Sequence, residues 1–255
     1  MNYRIEYTVL CEKGIIRQIN QDNFWCMGQF LESKNDGLSV PITGAAKPKD
    51  SPAFAVFDGM GGEQQGEVAA YIAAKIFDAR HETADKNDLR CFLLDACTDM
   101  NQAICDHANE RLLKGCGATA AVLMFGKKEI YICNIGDSRV YQFSGKTLTQ
   151  ISKDHSETSA ANKKPYLTQH LGIPREEFII APYVAKGVYG NRRYLICSDG
   201  LTDMVADGDI AKMLAQHRDV TACANVLMQA ALDAGGKDNI TIILCEVRKR
   251  GLFRF

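Results

Sequence analysis

Two long amphipathic segments stand back to back in this chain, and short apolar runs fill most of the rest. Glu67 to Ala79 carries Val68, Ile72 and Ile76 at four-residue steps. Asp88 to Leu113 carries Leu89, Phe92, Leu93, Ala96, Met100, Ala103 and Ile104 at three- and four-residue steps. Such spacing gathers apolar side chains on one helical face. Further along, Asp207 to Gln216 and Val220 to Ala234 read as two more helices, the second ending before Gly235-Gly236. The apolar runs are Tyr3–Leu10, Asn23–Gly28, Ala53–Phe57, Thr119–Phe125, Ile130–Ile135, Val140–Phe143, Phe178–Val184, Arg193–Cys197 and Ile240–Val247. Each is bounded by glycine or charge, as strands are. A helix pair followed by a strand meander over 119–150 excludes a regular β-α-β alternation. It points to an α+β architecture of antiparallel sheets covered by helices.

The chain has 255 residues, enough for one large domain with a sizeable core. Two polar stretches, Ser33 to Ser51 and Ser156 to Pro165, read as surface loops, the first with a short strand inside. Neither separates two domains. Ten cysteines show no C-x-x-C pair and sit mostly inside apolar runs, so they read as reduced core residues of a cytoplasmic protein. The N-terminal segment has no signal-peptide run, and no stretch approaches the ~20 apolar residues of a membrane span. Thirty-one acids against thirty bases give a formal net charge of −1. That balance argues against nucleic acid or an anionic membrane as the partner. Met27, Met100 and Met124 read as core filling.

Several of the acids stand at strand ends beside glycine. Ala53 to Phe57 runs into Asp58-Gly59, Ile130 to Ile135 into Gly136-Asp137, and Tyr194 to Cys197 into Ser198-Asp199-Gly200. The last strand begins after Lys237-Asp238-Asn239. If those strands share sheets, four aspartates gather at one edge. Crowded carboxylates must be protonated, paired or neutralised by a cation. Oxygen ligands select Mg²⁺ or Mn²⁺ over zinc. The same Asp-Gly pairs also serve as plain turns. Arg17, five residues before Asp22, adds a guanidinium that suits a phosphoryl substrate. A haloacid-dehalogenase-type chemistry is disfavoured, because Asp58-Gly59-Met60 lacks the second aspartate of a D-x-D pair, and there is no P-loop.

The order of motifs is similar to that of the type 2C, metal-dependent (PPM) serine/threonine protein phosphatases in their bacterial form. They are Arg17-x-x-Asn20-Gln21-Asp22, Val56-Phe57-Asp58-Gly59-Met60-Gly61-Gly62 with Gly66-Glu67, Gly117-Ala118-Thr119, Asn134-Ile135-Gly136-Asp137-Ser138-Arg139, Asp154-His155-Ser156, Leu167-Thr168-Gln169-x-Leu171-Gly172, Cys197-Ser198-Asp199-Gly200-Leu201-Thr202-Asp203 and Asp238-Asn239-Ile240-Thr241. The resemblance implies a four-layer αββα sandwich over residues 1–255 as a single domain. It implies two Mn²⁺ or Mg²⁺ ions, with Asp58 bridging them, the Gly59 carbonyl completing the first site, and Asp199 and Asp238 holding the second. Asp137 with Asp199 would hold a third, weaker ion. Asp22 would orient metal-bound water, Arg17 would bind the substrate phosphate, and Gln21, Asp203 and Asn239 would support the ligands from behind. The implied partners are phosphorylated proteins, substrates of Ser/Thr kinases, met by a monomeric enzyme. The alternative is a catalytically weakened relative that binds phosphoproteins or regulates.

Some positions depart from the family pattern. Gln21 stands where a glutamate is common, which weakens the metal environment. Glu63 replaces a histidine, and Met60 cannot protonate a leaving group. The flap around 156–167 is short, with only Glu157 to Tyr166 between two motifs. His155 reads as a loop anchor.

Overall fold

The computed structural model describes residues 3–61, 65–83, 88–113, 115–127, 129–158 and 165–249. In chain order the first half contains β1 (Tyr3–Glu12), β2 (Asp22–Cys26), β3 (Ile42–Ala46), β4 (Ala53–Met60), α1 (Gly66–Glu82), α2 (Leu89–Arg111), β5 (Gly117–Ala118) and β6 (Ala120–Phe125). The second half contains β7 (Glu129–Ile135), β8 (Arg139–Ser144), β9 (Thr147–Gln150), β10 (Ser156–Thr158), β11 (Pro165–Leu167), β12 (Tyr183–Val188) and β13 (Arg192–Cys197). It ends with α3 (Asp199–Thr202), α4 (Asp207–Gln216), α5 (Val220–Asp233) and β14 (Ile240–Lys249).

One antiparallel sheet has the order β3-β1-β14-β13-β8-β9. The other has the order β12-β7-β6-β4-β2, with β5 continuing the pairing on β4. Side-chain alternation gives each sheet two apolar faces, so three cores result. Phe24, Phe54, Val56, Tyr194, Ile196 and Ile243 fill the space between the sheets. Trp25, Phe57, Phe77, Phe92 and Met100 pack one sheet under α1 and α2. Leu195, Leu201, Ile210, Leu227 and Leu244 pack the other under α3, α4 and α5. This is the expected αββα sandwich. All ten cysteines are free, and only Cys91 is exposed. Among the described residues no helix is long and apolar enough to cross a membrane.

Periodicity locates α1 but misplaces its buried face. Ala69, Ala70, Ala73, Ala74 and Phe77 are fully buried, whereas Ile72 and Ile76 are only partly so. Small alanines let the helix lie close to β4, and the isoleucines flank that contact. Met27 is exposed, not core: it sits at φ 52° in a tight turn with Gly28, where Cys26 and Gln29 exchange backbone hydrogen bonds. The strand expected over Phe178–Val184 runs instead from Tyr183 to Val188. Phe178 turns back to Pro174, Phe178 and Ile179 face solvent, and Pro182 precedes the first paired residue. The loop expected over Ser156–Pro165 contains one arm of a small hairpin, β10 paired with β11. Residues 159–164 of that flap, and Gly62 and Glu63, lie outside the described residues.

Candidate active site

An edge strand and its neighbour in one sheet set the geometry. β2 and β4 pair so that Asp22 stands opposite Asp58. β13 and β14 pair in the other sheet, so Asp199 follows one strand and Asp238 precedes its neighbour. Asp137 lies in the turn between β7 and β8. A cleft of about 210 Å³ opens at this edge, lined by Arg17, Gln21, Asp58, Gly59, Met60, Gly61, Thr119, Asp137, Leu167, Asp199 and Asp238. Four aspartates and one arginine therefore share a small volume.

Backbone contacts hold this edge in place. Gly59 N–H donates to Gln21 O at 3.0 Å, and Thr119 N–H donates to Asp58 O at 2.8 Å. Asp58 N–H donates to Thr119 Oγ1 at 3.1 Å, and that hydroxyl bonds Ser138 Oγ at 2.6 Å. Gly59 is required by space: a Cβ there would lie 2.1 Å from Gly66 O and 2.5 Å from Gln21 O. The loop carrying Arg17 is clasped by Asn239. Its Nδ2 donates to Lys13 O and Ile19 O, and its Oδ1 accepts from Gln21 N–H. Arg17 Nη2 then donates to Asp238 Oδ2 at 2.6 Å.

The carboxylates crowd one another. Burial, then Asp199, Asp22, Asp137 and Asp238, push Asp58 well above the usual carboxylate range. Burial, Asp137 and Asp238 push Asp199 up to about 8. Burial pushes Asp137 up to about 6. Asp22 does not line the cleft. It is buried behind Asp58, and its Oδ2 accepts from Ser198 Oγ and Thr241 Oγ1, both at 2.7 Å. Burial still raises it to about 7, against those two hydrogen bonds. Its Oδ1 is buried with no hydrogen-bond partner.

A carboxylate raised in the fold binds protons that the unfolded chain has lost, so it costs stability as pH rises between the two values. With metal chelated, the free energy of unfolding is expected to fall as pH rises from about 4 to about 8. Burial pushes His155 below its usual value, which works the other way near pH 6, but one group opposes several. Urea titrations at pH 5 and pH 8 in chelator check this; a flat or rising profile would count against the crowding.

The donor set is all oxygen: Asp58, Asp137, Asp199 and Asp238 carboxylates with the Gly59 carbonyl, and the unpartnered Asp22 Oδ1 behind them. That chemistry fits hard divalent cations. Among the described residues no three acidic, thiol or imidazole groups already close into one ligand cage. The Arg17–Asp238 ion pair holds one of the carboxylates aside.

Of the supporting residues expected from sequence, Gln21 lines the cleft and Asn239 ties its rim together. Asp203 is exposed, outside the lining, with its N–H donating to Asp199 O. Sequence reasoning assigned no role to Thr119, Leu167, Ser198 or Thr241, although each lies inside a quoted motif. For Ser198 the available signal was its place directly before Asp199; the other three had no local signal beyond their motifs. His155 anchors the turn before Asp137, its Nδ1 accepting from Gly136 N–H and its N–H donating to Gly136 O.

Two stacked antiparallel sheets between helical layers, with aspartates from both converging on one oxygen-lined cleft, define a sandwich of the phosphatase class. The chain belongs to the protein phosphatase 2C family, whose sequence profile matches residues 42–239. That match leaves out Arg17, Gln21 and Asp22, which the fold attaches to the cleft. The chain is 29% identical to the serine/threonine phosphatase Stp of Listeria welshimeri, over 92% of this chain and 93% of that one. It is 28% identical to the serine/threonine protein phosphatase PstP of Mycobacterium tuberculosis, over 95% of this chain and 45% of that one. The crystal structure of the PstP catalytic domain in complex with two manganese ions superposes with a TM-score of 0.78 at 27% identity, covering 97% of this chain and all of that one.

Proposed function

We propose that this chain is a metal-dependent protein phosphatase that hydrolyses phosphoserine and phosphothreonine by direct attack of water. The carrying observation is the convergence of Asp58, Asp137, Asp199 and Asp238 with Arg17 around one cleft. Asp58, the Gly59 carbonyl, Asp199 and Asp238 would hold two Mn²⁺ or Mg²⁺ ions, and Asp137 with Asp199 would hold a third, weaker one. Those ions, when bound, lower the pKa of water and offset charge on the phosphoryl oxygens.

The chain's own groups do the rest. Arg17 is exposed at the rim, and its planar guanidinium can grip two phosphate oxygens at once. That contact orients the phosphoryl group and stabilises charge on its equatorial oxygens. Asp22 Oδ1 remains a buried acceptor, suited to hold the proton-bearing side of a water. Ser198 and Thr241 fix its carboxylate so that only this oxygen is free to accept. Met60 lines the cleft but donates no proton, so the leaving alkoxide takes its proton from solvent or another acid. The cysteines play no part, because no covalent intermediate is needed.

The presence of all four cleft aspartates together with Arg17 supports a working enzyme over a binding-only relative. The same reading takes residues 1–255 as one domain, acting as a cytoplasmic bacterial monomer that opposes Ser/Thr kinases in signalling. The test is hydrolysis of p-nitrophenyl phosphate and of a phosphothreonine peptide in Mn²⁺, Mg²⁺ or EDTA. Both substrates are expected to turn over in Mn²⁺ and to lose at least 100-fold in EDTA, an estimate that takes several kcal/mol of charge stabilisation from the ions. Equal rates in EDTA would sink the two-metal reading.

A further inference from the structure

Three large apolar side chains surround Arg17 in sequence and face solvent. Ile15, Ile16 and Ile19 are 62%, 61% and 53% exposed. Among the described residues no other five-residue window holds three exposed large hydrophobics. Single exposed isoleucines need no explanation, but three in one rigid loop do.

The loop is fixed at several points. Ile15 and Ile16 N–H groups both donate to Gly236 O, and Ile19 O accepts from Asn239 Nδ2. Gly14, at φ 79°, lies so close to Asp238 O that a Cβ would come within 2.2 Å of it. The backbone thus presents the isoleucines instead of folding them inward. Apart from Arg17, residues 14–20 carry no charge. Within residues 14–20 a charged flank therefore meets no partner but Arg17, whereas an apolar flank loses water from both partners.

We infer that Ile15, Ile16 and Ile19 form an apolar rim that selects phosphoprotein segments with aliphatic or aromatic residues beside the phosphorylated side chain. The inference rests on the phosphatase reading and names its substrate class. The occupant follows from position. A phosphate held by Arg17 leaves its own peptide running past that arginine, and each flanking residue advances about 3.3 Å along an extended segment. The nearest flanking side chains therefore pass the immediate neighbours of Arg17.

The test compares the wild-type protein with Ile16→Ser and with the triple Ile15→Ser, Ile16→Ser, Ile19→Ser variant in Mn²⁺. Substrates are a phosphothreonine peptide flanked by Leu and Phe, the same peptide flanked by Gly and Ser, and p-nitrophenyl phosphate. The wild type is expected to favour the apolar-flanked peptide by about tenfold in kcat/KM, through KM. That preference should shrink in Ile16→Ser and vanish in the triple variant. p-Nitrophenyl phosphate, which has no flanks, should keep its kcat/KM within twofold.

A wild type without preference overturns the inference. So does an equal loss on all three substrates, which would mean the loop only positions Arg17. A wild-type dimer that Ile16→Ser splits into monomers overturns it too, by making the patch a contact between copies. Binding of phosphonate versions of the two peptides, read by fluorescence anisotropy, separates the two readings. If nothing is hydrolysed, the phosphatase reading falls, and the ratio of the two dissociation constants still decides the rim.

Discussion

Asp58→Asn is expected to lower kcat on p-nitrophenyl phosphate by about 10³-fold in saturating Mn²⁺ while raising the melting temperature of the chelated protein. The activity loss follows if Asp58 holds the two ions as proposed, since several kcal/mol of charge stabilisation corresponds to two or three decades of rate. The stability gain has a separate cause. Asp58 is raised by burial and by the charges of Asp199, Asp22, Asp137 and Asp238, so its ionised form is disfavoured in the fold. An amide of the same shape carries no charge and removes that cost, so the gain should be larger at pH 8 than at pH 5. Thermal unfolding in EDTA and steady-state kinetics in Mn²⁺ read the two effects independently. A variant that loses activity and melts earlier would recast Asp58 as a structural residue.

Gly59→Ala should damage stability and activity together. Its Cβ would meet two backbone oxygens, Gly66 O and Gln21 O, neither of which can swing away as a side chain could. Relief requires moving either the start of α1 or the β1–β2 loop that carries Arg17 and Gln21. Overpacking of this kind costs about 3 kcal/mol, or roughly 6–12 °C of melting temperature for a chain of this size. The Gly59–Gln21 hydrogen bond would stretch with it, so kcat/KM should fall by about tenfold or more, as misplacement near a reacting centre does. Gly208→Ala is the control. Nothing lies within 4 Å of a Cβ at Gly208, which sits in α4. That change should leave stability unchanged or raise it by up to about 1 kcal/mol. Equal melting temperatures for the two variants would refute the close-approach argument.

Much of the fold was legible because the signals are local. The four long helices come from apolar spacing, and the strands come from short runs closed by glycine or charge. Their errors are informative. Val68, Ile72 and Ile76 advertise the buried face of α1, yet Ala69, Ala70, Ala73 and Ala74 occupy it. Periodicity reports where large side chains recur and says nothing about how close a sheet approaches. Phe178 and Ile179 look like the start of a strand but face solvent, because Pro182 delays pairing until Tyr183.

The sequence by itself determined the chemistry of this protein: aspartates at strand ends, glycines beside them, and one arginine upstream. A strand end fixes a backbone position, and glycine permits close approach, so both are written in neighbouring residues. Only the tertiary structure decided which oxygens face the cleft. Asp22, adjacent in the chain to cleft-lining Gln21, is buried, with its Oδ2 fixed by Ser198 and Thr241, residues 176 and 219 positions distant, so only its Oδ1 is left to accept. Asn239 reaches back to Lys13 and Ile19 to set Arg17 at the rim. Those contacts join two sheets and opposite ends of the chain. A side chain's environment is set by whatever packs against it, and no local pattern carries that information.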